Sequence, residues 1–184
     1  MCGIVGYIGT HQAAPVLLDG LAKLEYRGYD SAGIAVYDGE KIQMEKAVGR
    51  LKVLEELTQD GATLPGTVGI GHTRWATHGV PSDLNAHPHF NHDHSIVVVH
   101  NGIIENYLKL KKKLAGKGYE FLSETDTEVI AHMLDYYYKG DPLEAITRMM
   151  HRVEGSYALG ILFKDHPDQV YAARKDCPLI AGKG

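Results

Sequence analysis

Cys2-Gly3-Ile4-Val5-Gly6-Tyr7-Ile8 opens the chain, with only Met1 before it. The small and apolar residues from position 3 to 9 predict a buried strand. A strand that starts on a thiol at the second position has a chemical consequence. Excision of Met1 would put a free α-amine on the same Cα as the thiol. That amine titrates at about 7.7–8.0, so near neutral pH a usable fraction is an uncharged base. A free thiol of pKa about 8.5 is only a few per cent thiolate there, so a base within reach matters. Nucleophiles served by an N-terminal amine use this pairing. Taken alone, Cys2 is better read as a small residue at position 2, and the rest of the chain has to supply the case.

Outward from that strand, Val16, Leu17, Leu21 and Leu24 recur at helical spacing and predict a helix over 12–25. Strands follow over 33–37 and 42–48, joined through Asp38-Gly39, a strong turn signal. A short helix is expected over 51–57, then strands over 67–72 and 95–100. Tyr107, Leu110 and Leu114 share one helical face, with Lys109, Lys111, Lys112 and Lys113 mostly off it. Thr125-Asp126-Thr127-Glu128 has the capping-box pattern, and Val129, Ile130, Met133, Leu134 and Tyr137 form the stripe of the helix it opens. Asp141-Pro142 starts another helix, with Leu143, Ile146, Met150 and Val153 expected toward the core. Strands over 156–163 and 169–173 follow. Strands, then helices, then strands predict an α+β fold of antiparallel sheets with segregated helices. Pro178-Leu179-Ile180-Ala181 reads as the start of one more strand, so a chain cut short at its C-terminus is expected.

The 184 residues suit one domain with a real core. Nineteen Lys and Arg against 23 Asp and Glu leave a net charge of −4. That balance makes no field that would gather nucleic acid or anionic lipid. Ile96-Val97-Val98-Val99, the longest aliphatic stretch, is far too short to span a bilayer. The N-terminus has no basic n-region, and Asp19 and Lys23 interrupt any apolar h-region. Cys2 and Cys177 do not make a disulfide framework. A reducing cytoplasm is the expected setting, and it would keep Cys2 a thiol.

Three further segments carry candidate chemistry. Gly71-His72-Thr73-Arg74-Trp75-Ala76-Thr77-His78-Gly79 leaves a strand with a guanidinium, an indole, two imidazoles and hydroxyls between glycines. Arg74 offers the planar fork that grips a carboxylate, with Trp75 as cover; a surface loop whose Arg pairs with a structural Asp is the plainer alternative. His100-Asn101-Gly102 follows the aliphatic stretch. A side-chain amide and a flexible backbone N–H there could meet a developing oxyanion, although Asn-Gly is also a common hairpin turn. Because Ile103 to Tyr107 looks like entry to a helix, a donor pair at a strand end is at least as good a reading. In Ser123-Glu124-Thr125-Asp126 a carboxylate caps a helix or, facing a pocket, holds an ammonium group.

Other features are set aside. His87, His89, His92 and His94 imitate metal-ligand spacing, but a polar loop without Cys or Glu partners more often holds hydrogen-bonded or solvated histidines. The lysines of 109–113 read as a solvated face. Cys177 shows no base or metal beside it. No metal and no cofactor is expected.

Taken together, Cys2-Gly3-Ile4-Val5-Gly6, Tyr26 to Gly33, His72 to Gly79, Asn85-Ala86-His87-Pro88-His89, His100 to Asn106 and Ser123 to Glu128 resemble the glutaminase domains of glutamine–fructose-6-phosphate aminotransferases. These are class II glutamine amidotransferases with the N-terminal nucleophile hydrolase fold. Trp75-Ala76-Thr77-His78 and Tyr29-Asp30-Ser31 point to this hexosamine branch rather than to the purine or asparagine enzymes. The resemblance implies a four-layer α/β/β/α sandwich of two antiparallel sheets. It implies hydrolysis of L-glutamine, releasing ammonia for the conversion of fructose 6-phosphate to glucosamine 6-phosphate. By the same resemblance Cys2 is the nucleophile, its freed α-amine the base, and Asn101 with Gly102 the oxyanion hole. Arg74, Thr77 and His78 would hold the substrate α-carboxylate, Asp126 with Gly102 its α-ammonium, and Trp75 would close over it. Arg27 approaches the nucleophile, and His87 has a structural role near the site. Residues 1–184 would be a glutaminase domain incomplete at its C-terminus, with the sugar-phosphate isomerase domain outside it as the ammonia acceptor. The rivals are the glutaminase half of another amidotransferase and a non-catalytic amino-acid-binding module; a thiol directly after Met1 argues against the module.

Overall fold

The computed structural model describes residues 2–183. Its first sheet contains β1 (Gly3–Ile8), β2 (Ser31–Tyr37), β3 (Ile42–Val48) and β4 (Val68–Arg74), in the order β1-β4-β2-β3. The second contains β5 (His89–Phe90), β6 (Ile96–Ile104), β7 (Gly155–Phe163) and β8 (Tyr171–Lys175), in chain order. Every strand pairing within the two sheets is antiparallel. Helices α1 (Ala13–Ala22) and α2 (Leu51–Thr58) cover the first sheet. Helices α3 (Tyr107–Ala115), α4 (Glu128–Tyr137) and α5 (Pro142–Met150) cover the second.

Three apolar clusters make the layers. Leu17, Leu18 and Leu21 of α1 and Leu51 and Leu54 of α2 pack on Ala32, Ile34 and Val36 of β2. Val129, Ile130, Met133 and Leu134 of α4 and Ile146 and Met149 of α5 pack on Ile96, Val98 and Ile104 of β6 and Leu159 and Ile161 of β7. Between the sheets, Ile70 of β4 and Ala35 of β2 meet Val97 and Val99 of β6 and Leu162 of β7, with Ile4 of β1 against them. The order is helices, sheet, sheet, helices: the expected α/β/β/α sandwich. Burial of both sheets on both faces explains why Ala32 to Val36 and Val97 to Val99 read as continuous apolar runs rather than alternating ones.

Several expectations need correction. The first helix ends at Ala22, and a 3-10 turn over Glu25–Arg27 takes the chain toward β2. Thr125 and Glu128 form no capping box. Helix α4 begins at Glu128, and its N-cap Thr127 makes no side-chain capping bond. The Thr125 hydroxyl lies 3.0 Å from His89 Nε2 instead, and the Glu128 carboxylate accepts from the backbone N–H groups of Leu122 and Ser123 and from the Ser123 hydroxyl. His89 and the chain at 122–123 take up the groups that a capping box would have used. Asp141 does cap α5, accepting from the N–H groups of Leu143 and Glu144. That start puts Ala145, Ile146 and Met149 inward and leaves Leu143 65% exposed, against expectation. The expected strand at 178–181 is absent; that segment lies along a cavity instead.

The largest correction concerns β6. It runs on through Asn101 and Gly102, which pair with Ala158 and Tyr157 of β7. The Asn-Gly pair is therefore neither a hairpin nor a strand end. Gly102 has φ +122°, and a Cβ there would stand 2.0 Å from the Ser156 carbonyl oxygen. Only glycine fits that position.

Candidate active site

Strand parity builds the site. Val68 and Ile70 of β4 face the second sheet, and His72 and Arg74 continue that face. Val97 and Val99 of β6 face the first sheet, and Asn101 continues theirs. Ile4 of β1 packs into the same layer, and Cys2 lies two residues before it. At this end the inter-sheet layer changes from apolar to polar and opens into a cavity of about 670 Å³. That volume is within the range of small-molecule sites. Its wall includes all ten residues singled out in the sequence: Cys2, Arg27, Arg74, Trp75, Thr77, His78, His87, Asn101, Gly102 and Asp126.

The Cys2 Sγ accepts the Trp75 N–H at 3.2 Å and lies 3.5 Å from the Trp75 carbonyl oxygen. Burial pushes the thiol pKa up, and the Trp75 N–H pulls it partly back. At neutral pH the group is a thiol and needs a base to react. Neither of those two Sγ contacts is to an imidazole, so the geometry is not that of a Cys–His pair. Met1, and with it the expected excision, lies outside the described residues. The Asn101 carboxamide donates from Nδ2 to the Cys2 carbonyl at 3.1 Å, joining the two residues directly.

Arg74 is 3% exposed. Its Nη2 donates to the carbonyls of His78 and Gly79, the latter at 3.1 Å, and its Nη1 lies 3.8 Å from Asp30 Oδ1. The guanidinium therefore pins the 75–79 loop onto β4 while also lining the cavity. Both sequence alternatives, clamp and structural Asp pair, are compatible with this placement. Asp30 adds a second anchor by accepting the Ala76 N–H. Trp75 is half exposed at the mouth, edge-on to Tyr29 at 5.5 Å between ring centres. His78 meets Tyr107 edge-on at 5.1 Å, with Thr77 Oγ1 3.3 Å from its Nδ1. Asp126 is buried and its Oδ2 accepts the Ile104 N–H at 2.7 Å, which ties the start of α4 to the end of β6. Arg27 reaches the cavity from the 3-10 turn.

The residue pattern did not show that buried histidines pack together here, with His87 and His100 lining the cavity and His72 against His87. His72 stacks on His87 at 4.1 Å. Thr127 Oγ1 stands 2.9 Å from His87 Nε2 and 2.8 Å from His100 Nδ1. Strand alternation in β4 places His72 on the inter-sheet face, but its stacking on His87, which lies outside the strands, needed the tertiary structure. Cys177, Pro178, Leu179 and Ile180 also line the cavity, which no local signal announced.

Burial, the largest cause in each case, lowers the pKa of His72 to about 3 and lowers those of His87, His89 and His100. Unfolded histidine titrates at about 6.5, so below that value the unfolded chain takes up protons that the folded chain refuses. Stability is then full above about pH 6.5 and is lost as pH falls toward the folded values. His72 alone contributes a loss of roughly 1.4 kcal/mol per pH unit in that window. Urea midpoints should hold level above about pH 6.5 and fall from there to about pH 5; a flat profile over that lower range would contradict the buried neutral histidines.

A family model described as "Glutamine amidotransferase domain" matches residues 72–181. The chain belongs to the glutamine amidotransferase family. This amidotransferase chain is 62% identical over 184 residues to the glutamine–fructose-6-phosphate aminotransferase (isomerizing) of Caldanaerobacter subterraneus subsp. tengcongensis, covering 100% of this chain and 30% of the relative. It is 54% identical over 185 residues to a protein of the same name from Thermus thermophilus, with the same coverage. It thus spans about 30% of the length of these curated relatives. Among solved structures, glutamine phosphoribosylpyrophosphate amidotransferase from B. subtilis matches with a TM-score of 0.76 at 30% identity, covering 89% of this chain and 35% of that one. A glutamine aminotransferase class-II domain protein from Silicibacter pomeroyi shares the fold at TM-score 0.66 and 19% identity, over 98% of this chain and 80% of that one. The amidotransferase sandwich is thereby of the N-terminal nucleophile hydrolase type. Among its described residues no helix is long and apolar enough to cross a membrane.

Proposed function

We propose that this chain is the glutamine-hydrolysing domain of a glutamine–fructose-6-phosphate aminotransferase. The observation that carries the reading is a thiol, a carboxamide bonded to its backbone, a buried guanidinium and a buried carboxylate around one cavity. Arg74, Thr77 and His78 hold the α-carboxylate of glutamine, and Asp126 with Gly102 holds its α-ammonium. Anchoring both ends fixes the carboxamide carbon near sulfur, the gain expected of oriented reactants. Asparagine, one methylene shorter, cannot reach both anchors and the nucleophile together.

With Met1 removed, the Cys2 amine takes the thiol proton and the thiolate adds to the carboxamide carbon. The oxyanion meets the Asn101 Nδ2 and the Gly102 N–H. The ammonium formed on Cys2 protonates the leaving nitrogen, ammonia departs, and a glutamyl thioester remains. Water, deprotonated by the same amine, releases glutamate and restores the thiol. Trp75 closes over the site. Arg27 supports the approach to sulfur, and His87 has a structural role in the cavity wall. The ammonia acceptor is an isomerase domain elsewhere in a longer cytoplasmic polypeptide, where fructose 6-phosphate becomes glucosamine 6-phosphate. Identities of 54–62% to aminotransferases against 30% to the phosphoribosylpyrophosphate enzyme favour this branch.

The test is direct. Chain whose intact mass shows loss of Met1 should convert glutamine to glutamate and ammonia. A diazoketone analogue of glutamine should label Cys2 one-to-one and block turnover. Glutamine bound without glutamate formed would assign the chain to amino-acid sensing instead.

A further inference from the structure

An asparagine carboxamide can present either of two nearly isosteric ends to a neighbour. In an oxyanion hole only one of them serves. The NH₂ group attracts developing negative charge, and the oxygen repels it. Something must hold Asn101 the right way round.

His72 Nε2 lies 2.9 Å from the backbone carbonyl oxygen of His100 and 3.0 Å from Asn101 Oδ1. The His100 oxygen can only accept, so the proton of His72 is on Nε2. The Asn101 atom beside that N–H must then be an acceptor, which is Oδ1. The other end, Nδ2, meets the Cys2 carbonyl at 3.1 Å, another group that can only accept. Two backbone carbonyls therefore set the amide orientation, one directly and one through the imidazole. Turning the amide over would set donor against donor at His72 and acceptor against acceptor at Cys2.

The ring is itself held. His72 is completely buried, projects from β4 toward β6 across the gap between the sheets, and stacks on His87 at 4.1 Å. Its Nδ1 has no hydrogen-bond partner among the described residues. A proton moved there would be a buried, unsatisfied donor, and the bare Nε2 would face the His100 oxygen. Burial also holds the ring neutral, with a pKa lowered to about 3. One tautomer is thus selected without any contact between His72 and the thiol.

We infer that His72 is a positioning residue. Its Nε2–H, anchored on the His100 carbonyl, orients the Asn101 carboxamide so that the NH₂ group faces Cys2. This rests on the glutamine-hydrolysis reading. The second hydrogen of that NH₂ is the one left for the oxyanion.

The variants His72→Leu and His72→Gln separate orientation from packing. Leu removes the donor. Gln keeps an N–H near the Nε2 position. His72→Leu should lower kcat for glutamine hydrolysis about 10- to 100-fold with KM changed less than about threefold, and His72→Gln should keep kcat within about threefold of the native chain. In an Asn101→Ala background, His72→Leu should cost less than about twofold more, because the group it orients is gone. Full additivity of the two substitutions, or equal losses from Leu and Gln, overturns the inference. ¹⁵N shifts of the His72 ring in the native chain report the tautomer without any turnover. Nε2–H supports the assignment and Nδ1–H overturns it. A native chain that leaves glutamine intact would sink the glutaminase reading, and the ring shifts would still decide the orientation.

Discussion

Cys2→Ala should reduce glutamine hydrolysis to the assay floor. Loss of the nucleophile from a covalent hydrolase costs on the order of 10⁶ in kcat. The position supports so large an effect because nothing else stands in for the sulfur. Cys177 also lines the cavity, but from the opposite end of the chain, and it is Cys2 whose backbone is bonded to the Asn101 donor. The fold should survive the change. The Cys2 side chain lies outside all three apolar clusters, and among the described residues its hydrogen bonds are to the Trp75 backbone. Steady-state ammonia release and a thermal melt on the same sample check both halves. Turnover comparable to the native chain would remove the covalent mechanism.

Asn101→Ala should cost about 10²–10³ in kcat with little change in KM, the size expected for one oxyanion donor. The asymmetry follows from where charge appears. The Asn101 amide meets an oxygen that becomes negative only in the transition state, whereas the two ends of glutamine are charged throughout. The Cys2 carbonyl would also lose its Nδ2 donor, and His72 would keep the His100 oxygen as partner. Structural damage is therefore confined to the site. Parallel measurement of kcat and KM decides: a rise in KM with kcat intact would move Asn101 from the oxyanion to ground-state binding.

Much of this was legible along the chain. Asp38-Gly39 turned β2 into β3 as its local chemistry demanded, with Asp38 accepting the N–H groups of Glu40 and Lys41. Asp141-Pro142 started α5 as its cap predicted. The motif residues did converge on one cavity. What failed were short patterns with stronger partners elsewhere. The Thr125–Glu128 box gave way to His89 and Ser123, and Leu143 was placed by the true helix phase rather than by its hydrophobicity.

Period and turn chemistry act over a few residues, so the sequence by itself determined the helices and most of the strands in their order, but not β5, and it placed a strand at 178–181 that is absent. Only the tertiary structure decided that Asn101 and Gly102 stay in a strand, because β6 keeps its register with Ala158 and Tyr157 of β7 through them in place of a turn. It alone set His72 against Asn101, from strands in different sheets, because that contact depends on how two sheets face each other across an apolar layer.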